Sequence, residues 1–298
     1  MKAPFLGLAL GGGGFRGAAH LGVLQEFDKA KIKIDCIAGV SAGAIVAAMY
    51  AYSLDGRWVE ERFREVWSSD IFNKKSAMNF FKQKKSRIPI KNFFKSISDY
   101  FLAITSFHRQ FIIDTKYLEE ILLLLIPERS FNQLKIPLKI VSTDLQSGDD
   151  IIHEKGDIID ALTQSCAIPG IIEPILQGEK LIVDGGVGMP IPINPLKKDC
   201  GFIIAVDIGN YKFQKLENPN ILSIKKRSQI ITSNRLKHNL TSKADFIIIP
   251  DTMGVDWSSY EKVEKILENG RMAASENIFF LKEMIDKKKN MIMKKNNG

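Results

Sequence analysis

The stretch Ile37-Ala38-Gly39-Val40-Ser41-Ala42-Gly43-Ala44 decides how the rest of the chain is read. A short apolar run from Cys36 leads into G-x-S-x-G, and a run of small residues to Tyr52 follows it. Strand, serine, helix is the order in which a serine sits on a sharp turn with a strained backbone. Its neighbours two positions away on either side must be tiny for the turn to close, which accounts for Gly39 and Gly43. The turn aims the Ser41 hydroxyl outward, and the following helix brings its positive N-terminal end to the same point. The pentapeptide alone is weak; the strand-like and helix-like flanks give it weight.

Towards the N-terminus, Phe5 to Leu10 reads as a short apolar strand that opens onto Gly11-Gly12-Gly13-Gly14-Phe15-Arg16-Gly17. A helix over Arg16 to Ala30 follows, with Leu21, Leu24 and Phe27 on one face. Consecutive glycines leave backbone N–H groups bare and able to converge, as an oxyanion hole or a phosphate cradle requires. Gly12, Gly14 and Gly17 also satisfy the dinucleotide fingerprint G-x-G-x-x-G. That second reading wants an acid at the end of the next strand; Val40-Ser41 stands there, and Asp35 lies at the strand's beginning. Towards the C-terminus, Leu181-Ile182-Val183 ends in Asp184-Gly185-Gly186. A carboxylate at a strand end with two glycines behind it can approach another group closely, although Asp-Gly is also an ordinary turn.

Further strands are expected at Leu138 to Thr143, Lys180 to Val183, Phe202 to Val206 and Phe246 to Ile249. Helical patterns occupy Thr115 to Ile126, Asp157 to Cys166, Ile221 to Lys243 and Ser258 to Ile285. Apolar strands separated by amphipathic helices predict an α/β fold of three layers, with a mostly parallel central sheet flanked by helices. A single domain over residues 1–285 and a lysine-rich tail over 286–298 is the simplest division. Residues 71–110 interrupt the alternation: they hold eight of the 27 aromatics, and nine Lys or Arg against the single acid Asp99. Phe93, Ile97, Tyr100, Phe101, Ile104 and Phe107 fall there at helical spacing, which suggests a helical insertion or lid. Such a stripe either packs on the core or rests on an anionic bilayer, and both readings stay open.

The composition, 45% apolar and 26% charged, is that of an ordinary globular chain. No run approaches the ~18 apolar residues of a membrane span. Met1 to Leu10 begins like a signal peptide but runs into the glycines without a cleavage pattern. Cys36, Cys166 and Cys200 are scattered and odd in number, so a reducing compartment, the cytoplasm, is expected. The net charge of +8 is concentrated in 71–110 and in the five lysines after Asp286, a pattern that suits an anionic membrane surface at its inner face. No nucleic-acid reading module accompanies it, so no nucleic acid is expected as partner. No H-E-x-x-H or comparable spacing is present, and neither metal nor cofactor is expected.

Taken together, the three glycine-flanked elements resemble the patatin-like phospholipase family, over about Phe5 to Ile285. The family's G-G-G-x-R-G motif matches Gly12 to Gly17, its nucleophile motif Gly39 to Gly43, and its D-G-[AG] motif Asp184 to Gly186. Ser142-Thr143-Asp144-Leu145, Ala167-Ile168-Pro169-Gly170 and Ile204-Ala205-Val206-Asp207 support the register. Met189, where Asn is common, and Gln164, where a small residue is usual, depart from the pattern. The resemblance implies a Ser41–Asp184 dyad without histidine, Gly13 and Gly14 as oxyanion donors, and lipid or small esters as substrates. Gly12, Arg16, Gly17, Gly39, Gly43, Gly185 and Gly186 would support that machinery, with Arg16 pinning the glycine loop. A free aspartate, pKa near ~3.9, is a poor base for a hydroxyl, so the dyad requires Asp184 to be desolvated beside Ser41. A distant partner among His20, His108, His153 and His238 remains possible, since triads assemble in space. So does a lipid-binding protein that keeps the fold without the activity.

Overall fold

A computed structural model describes residues 5–68, 113–213 and 215–296. The insertion expected over 71–110, with His108, lies outside the described residues.

The strands are β1 (Leu6–Leu10), β2 (Cys36–Val40), β3 (Leu138–Asp144), β4 (Asp150–His153), β5 (Ile175–Gln177), β6 (Lys180–Asp184), β7 (Phe202–Val206) and β8 (Phe246–Ile248). They form one sheet in the order β5-β6-β3-β2-β1-β7-β8, with β4 also on β3. The pairs β3-β2, β2-β1, β1-β7 and β7-β8 are parallel. The additions β4, β5 and β6 are antiparallel. The sheet is therefore mixed, with a parallel body.

Helices α1 (Ala18–Lys29), α2 (Ala42–Ser53), α3 (Gly56–Ser68), α4 (Thr115–Leu125), α5 (Ile158–Ser165), α6 (Ile221–Thr241) and α7 (Val263–Asn296) flank it. Strand alternation divides the interior into two cores. Leu6, Leu8 and Leu10 of β1 join Ile37, Phe202, Ile204 and Val206 in a large core under α1, α2 and α7. Ala9, Cys36, Ala38, Val40, Ile203 and Ala205 face the other way, against Met189, Ile191, Ile193 and Leu240.

The register of β3 brings the two motif ends together. Ser142 pairs with both Ile151 of β4 and Asp184 of β6, while Ile140 and Val141 pair with both β4 and β2. Since a residue has two ladder edges, β4 takes one edge of β3, and β2 and β6 share the other end to end. Val40 lies opposite Val141 and Asp184 opposite the next residue, Ser142. The C-terminal ends of β2 and β6 thus meet, and Ser41 and Asp184 meet with them.

Four elements differ from the sequence expectation. Strands β4 and β5 have no counterpart in it, being short and partly exposed rather than wholly apolar runs. Helix α3 was not anticipated: it buries only Gly56, Val59 and Val66 among charged residues, too sparse an apolar face to separate it from a polar connection. Helix α7 runs without a break through the lysine-rich stretch to Asn296. Lysine favours helix and complements the negative C-terminal end of the dipole, and Lys288 Nζ bonds Asp245 at 2.9 Å. Crossing against α1 at bare backbone, α7 is held close: a Cβ on Gly22 would lie 2.2 Å from Leu267 O, and one on Gly270 2.1 Å from Ala19 O. This crossing fixes the segment before α7, which carries Trp257 over the glycine loop.

Candidate active site

Ser41 has φ 55° and ψ −128°, a conformation that non-glycine residues avoid unless the surroundings impose it. Several contacts do so here. The Ser41 carbonyl accepts N–H bonds from Ala44 (2.8 Å) and Ile45 (3.2 Å), starting α2. Its own N–H donates to Ser165 Oγ at 2.9 Å, and that hydroxyl donates to Val141 O at 2.6 Å. Gly39 and Gly43 are required by close approach: added Cβ atoms would stand 2.4 Å from Ala44 Cα and 2.3 Å from Leu10 O. Gly17 serves the same end, since its Cβ would lie 2.9 Å from Ala42 Cβ, where the glycine loop packs on α2.

In the glycine loop the N–H groups are divided between structure and cavity. Gly11 N–H donates to Val206 O (3.1 Å), Gly12 N–H to Pro190 O (3.1 Å) and Phe15 N–H to Trp257 O (2.8 Å). Among the described residues, the N–H groups of Gly13 and Gly14 have no protein acceptor, and both residues line the cavity that contains Ser41. Gly14 has φ 57°, and a Cβ there would lie 2.4 Å from Trp257 O. Arg16 Nε donates to Gly13 O at 3.1 Å, so its guanidinium braces the loop. His20 donates Nε2–H to Gly11 O at 2.8 Å from a fully buried position.

Asp184 caps the 3-10 turn Gly185–Val187, its Oδ1 accepting the Gly186 N–H at 2.7 Å. A Cβ on Gly185 would meet Val141 O at 2.3 Å, so only glycine lets the turn fold against β3. Burial pushes the Asp184 carboxyl up to about 6, and hydrogen bonds from the Ser41 hydroxyl and Gly186 N–H oppose that rise. The desolvation a histidine-free dyad needs is therefore present, and Ser41 and Asp184 line the same cavity.

The cavity over these groups has a volume of about 640 Å³. Ile168, Pro169, Val187, Pro190 and Trp257 give it apolar walls, and α6 closes one side with Lys225, Gln229, Thr232, Leu236 and Lys237. Ser165, which fixes the nucleophile's N–H, and the α6 wall had not been singled out from the sequence. Ser165 carries no local pattern. Helix α6 did hold a signal: five Lys or Arg, no acid and scattered polar residues mark a helix that does not simply cover a core. Gln164 and Met189, the two departures, are buried and do not line the cavity.

No histidine among the described residues lines the cavity. Burial pushes both His20 and His153 down to about 4, and His153 Nε2 is bonded to Ser142 Oγ at 2.8 Å. Asp35, the acid nearest to a dinucleotide role, spends its Oδ2 on the N–H groups of Phe5 (3.1 Å) and Leu6 (2.9 Å).

Comparison with known proteins agrees with the arrangement of motifs. The family model of patatin-like phospholipases matches residues 8–197. An uncharacterised NTE family protein of Mycobacterium tuberculosis is 32% identical over 208 residues, 68% of this chain and 30% of that protein. The neuropathy target esterase sws of Drosophila melanogaster is 29% identical over 216 residues, 72% of this chain and 13% of that protein. The chain thus spans less than a third of the length of either relative. Among solved structures, VipD from Legionella pneumophila aligns with a TM-score of 0.45 and 16% identity, covering 96% of this chain and 67% of that one. With its glycine loop, serine turn and D-G-G strand end all inside or bordering the matched span, the chain belongs to the patatin-like phospholipase family.

Proposed function

We propose that the chain is a serine acyl-hydrolase for lipid esters, of the phospholipase A, lysophospholipase or esterase kind. The observation that carries this reading is one cavity lined by Ser41 on its strained turn, the buried Asp184 carboxyl, and Gly13 and Gly14, whose N–H groups have no protein acceptor among the described residues. Ser41 Oγ attacks the ester carbonyl as Asp184 accepts its proton, and the oxyanion is met by the Gly13 and Gly14 N–H groups. Collapse breaks the C–O bond, and Asp184 returns the proton to the leaving alcohol. Water, deprotonated by Asp184, then attacks the acyl-enzyme and releases the acid and Ser41. The positive end of α2 and the braced loop hold the donors in place, so little reorganisation accompanies the reaction. The apolar cavity wall suits the acyl chain.

Helix α6 supports peripheral contact with an anionic bilayer. Ile221 and Ile224 are exposed on its first turn, adjacent to the Lys225-Lys226-Arg227 run and next to the cavity mouth. Among the described residues no helix is long and apolar enough to cross a membrane. Hydrolysis of chromogenic acyl esters of graded length by wild type, Ser41→Ala and Asp184→Asn tests the catalytic reading. Folded but inactive variants are expected; an Asp184→Asn enzyme of near-normal rate would return the role of base to a histidine.

A further inference from the structure

Beside the catalytic cavity lies a second one of about 340 Å³. The two share Arg16, Ile168, Gln229, Ser233, Lys237 and Trp257. Where the first is largely apolar, the second adds Asn210, Asn234, Lys226 and Asp256. Lys226 and Asp256 neutralise each other as an ion pair, and Arg16 gives its Nε–H to the glycine loop. Lys237 is different. Its side chain comes from α6 and the residue is only 4% exposed.

The carboxylate nearest to the Lys237 ammonium is Asp207, at 3.9 Å, beyond hydrogen-bond distance. Moreover, Asp207 is already engaged: Oδ1 accepts the Gly209 N–H at 2.8 Å and Oδ2 accepts the Tyr211 hydroxyl. Among the described residues the ammonium, with three donors, therefore has no acceptor within hydrogen-bond range. Burial holds Lys237 down to about 8, with Asp207 opposing and Arg16 adding to the depression, so it remains mostly charged at neutral pH. A buried cation without a hydrogen-bonded partner is costly, and an anionic ligand removes that cost. The opposite deficit lies in the same wall: among the described residues Asn210 Oδ1 is buried without a donor, while its Nδ2 donates to Gly254 O at 3.0 Å. A ligand that answers both groups brings acceptor oxygens with full negative charge and, next to them, a hydroxyl or ammonium hydrogen.

We propose that this side chamber is a phosphate subsite in which Lys237 holds the phosphate of a glycerophospholipid or lysophospholipid while its ester carbonyl lies at Ser41. Asn210 then accepts a hydrogen from the polar head beyond the phosphate. The assignment rests on the acyl-hydrolase reading and narrows its substrate: a glycerol bridge joins the two reactive positions, as Arg16, Ile168 and Trp257 join the two cavities. Lys237 is a specificity-determining residue in this account. A neutral glyceride offers the ammonium no counter-charge and is discriminated against by the unpaired buried group.

Two measurements test this. In the first, glycerol 3-phosphate, inorganic phosphate and glycerol are titrated calorimetrically into Ser41→Ala protein, with and without Lys237→Met or Ser233→Asp. Glycerol 3-phosphate is expected to bind more tightly than inorganic phosphate, with glycerol silent. Either second substitution should weaken that binding by roughly tenfold or more, the size of a lost charge-assisted hydrogen bond. In the second, kcat/KM is compared for a lysophospholipid and a monoacylglycerol carrying the same acyl chain. Lys237→Met should lower the first by roughly tenfold or more, mainly through KM, and leave the second within about twofold.

Equal losses on both substrates would reduce Lys237 to a structural residue and overturn the proposal. So would unchanged hydrolysis of the lysophospholipid by Lys237→Met, or inorganic phosphate binding as tightly as glycerol 3-phosphate, which would make the chamber a site for free anion. Lys237-dependent binding of glycerol 3-phosphate by a wild type that cleaves no ester would uphold the subsite and remove the hydrolase reading instead.

Discussion

Replacing Asp184 by Asn should produce a protein that is inactive yet more stable at neutral pH. The carboxyl is raised from 3.8 to about 6 by burial. At about 1.4 kcal/mol per pKa unit, that rise is a penalty of about 3 kcal/mol on the ionised folded state. The folded protein holds this proton more tightly than the unfolded chain. The group therefore contributes no penalty below 3.8, loses stability as pH rises through about 6, and carries the full penalty above it. Asn is neutral throughout and its Oδ1 can still accept the Gly186 N–H. The stability gap in favour of Asp184→Asn should thus be about 2–3 kcal/mol larger at pH 7.5 than at pH 4. For 298 residues, with an unfolding entropy of about 2 cal/mol/K per residue, that is a Tm difference of about 4 °C. Calorimetric Tm values of both proteins at the two pH values measure it. A gap that is independent of pH, or a variant less stable at pH 7.5, would show that Asp184 is not the strained buried base described above.

The same group sets the rate profile: kcat/KM on a neutral ester should fall about tenfold per pH unit below about 6, as Asp184 takes up its proton. A stopped rate assay between pH 4.5 and 8 reads this, and a flat profile through pH 5 would contradict it. Gly14→Ala places a Cβ 2.4 Å from Trp257 O at a positive φ and must shift the loop. A fall in kcat of about a hundredfold with KM little changed is expected from the displaced oxyanion donor, and an unchanged kcat would remove Gly14 from that role. Ile224→Glu, on the exposed start of α6, should abolish co-sedimentation with vesicles containing anionic phosphatidylglycerol. Wild type that fails to sediment with such vesicles would discard the membrane contact.

Much of this site is legible in the sequence because its parts are backbone solutions to local problems. Gly39 is needed where the end of β2 meets Ala44 Cα of α2, and Gly43 where α2 passes Leu10 O, and such contacts leave fixed spacings in the sequence. The same holds for the Asp184-Gly185 turn against Val141. The parallel body of the sheet was legible because Leu8, Ile37 and Phe202 belong to short, wholly apolar runs. What could not be read was set by register and distance. That β2 and β6 share one edge of β3 follows from ladder pairing, which no local pattern encodes. Ser165 reaches the Ser41 N–H from 124 residues away. Lys237 looks in sequence like any lysine on a polar helix, and its burial depends on where α6 lands.

The most direct test of the central claim is the covalent chemistry of Ser41. Wild type treated with an alkyl fluorophosphonate should gain one adduct by intact mass, mapped to Ser41 by peptide sequencing. Labelling should slow as pH falls through about 6 and drop by at least about a hundredfold in Asp184→Asn. An adduct on another residue, or labelling of Asp184→Asn at the wild-type rate, would contradict the Ser41–Asp184 account.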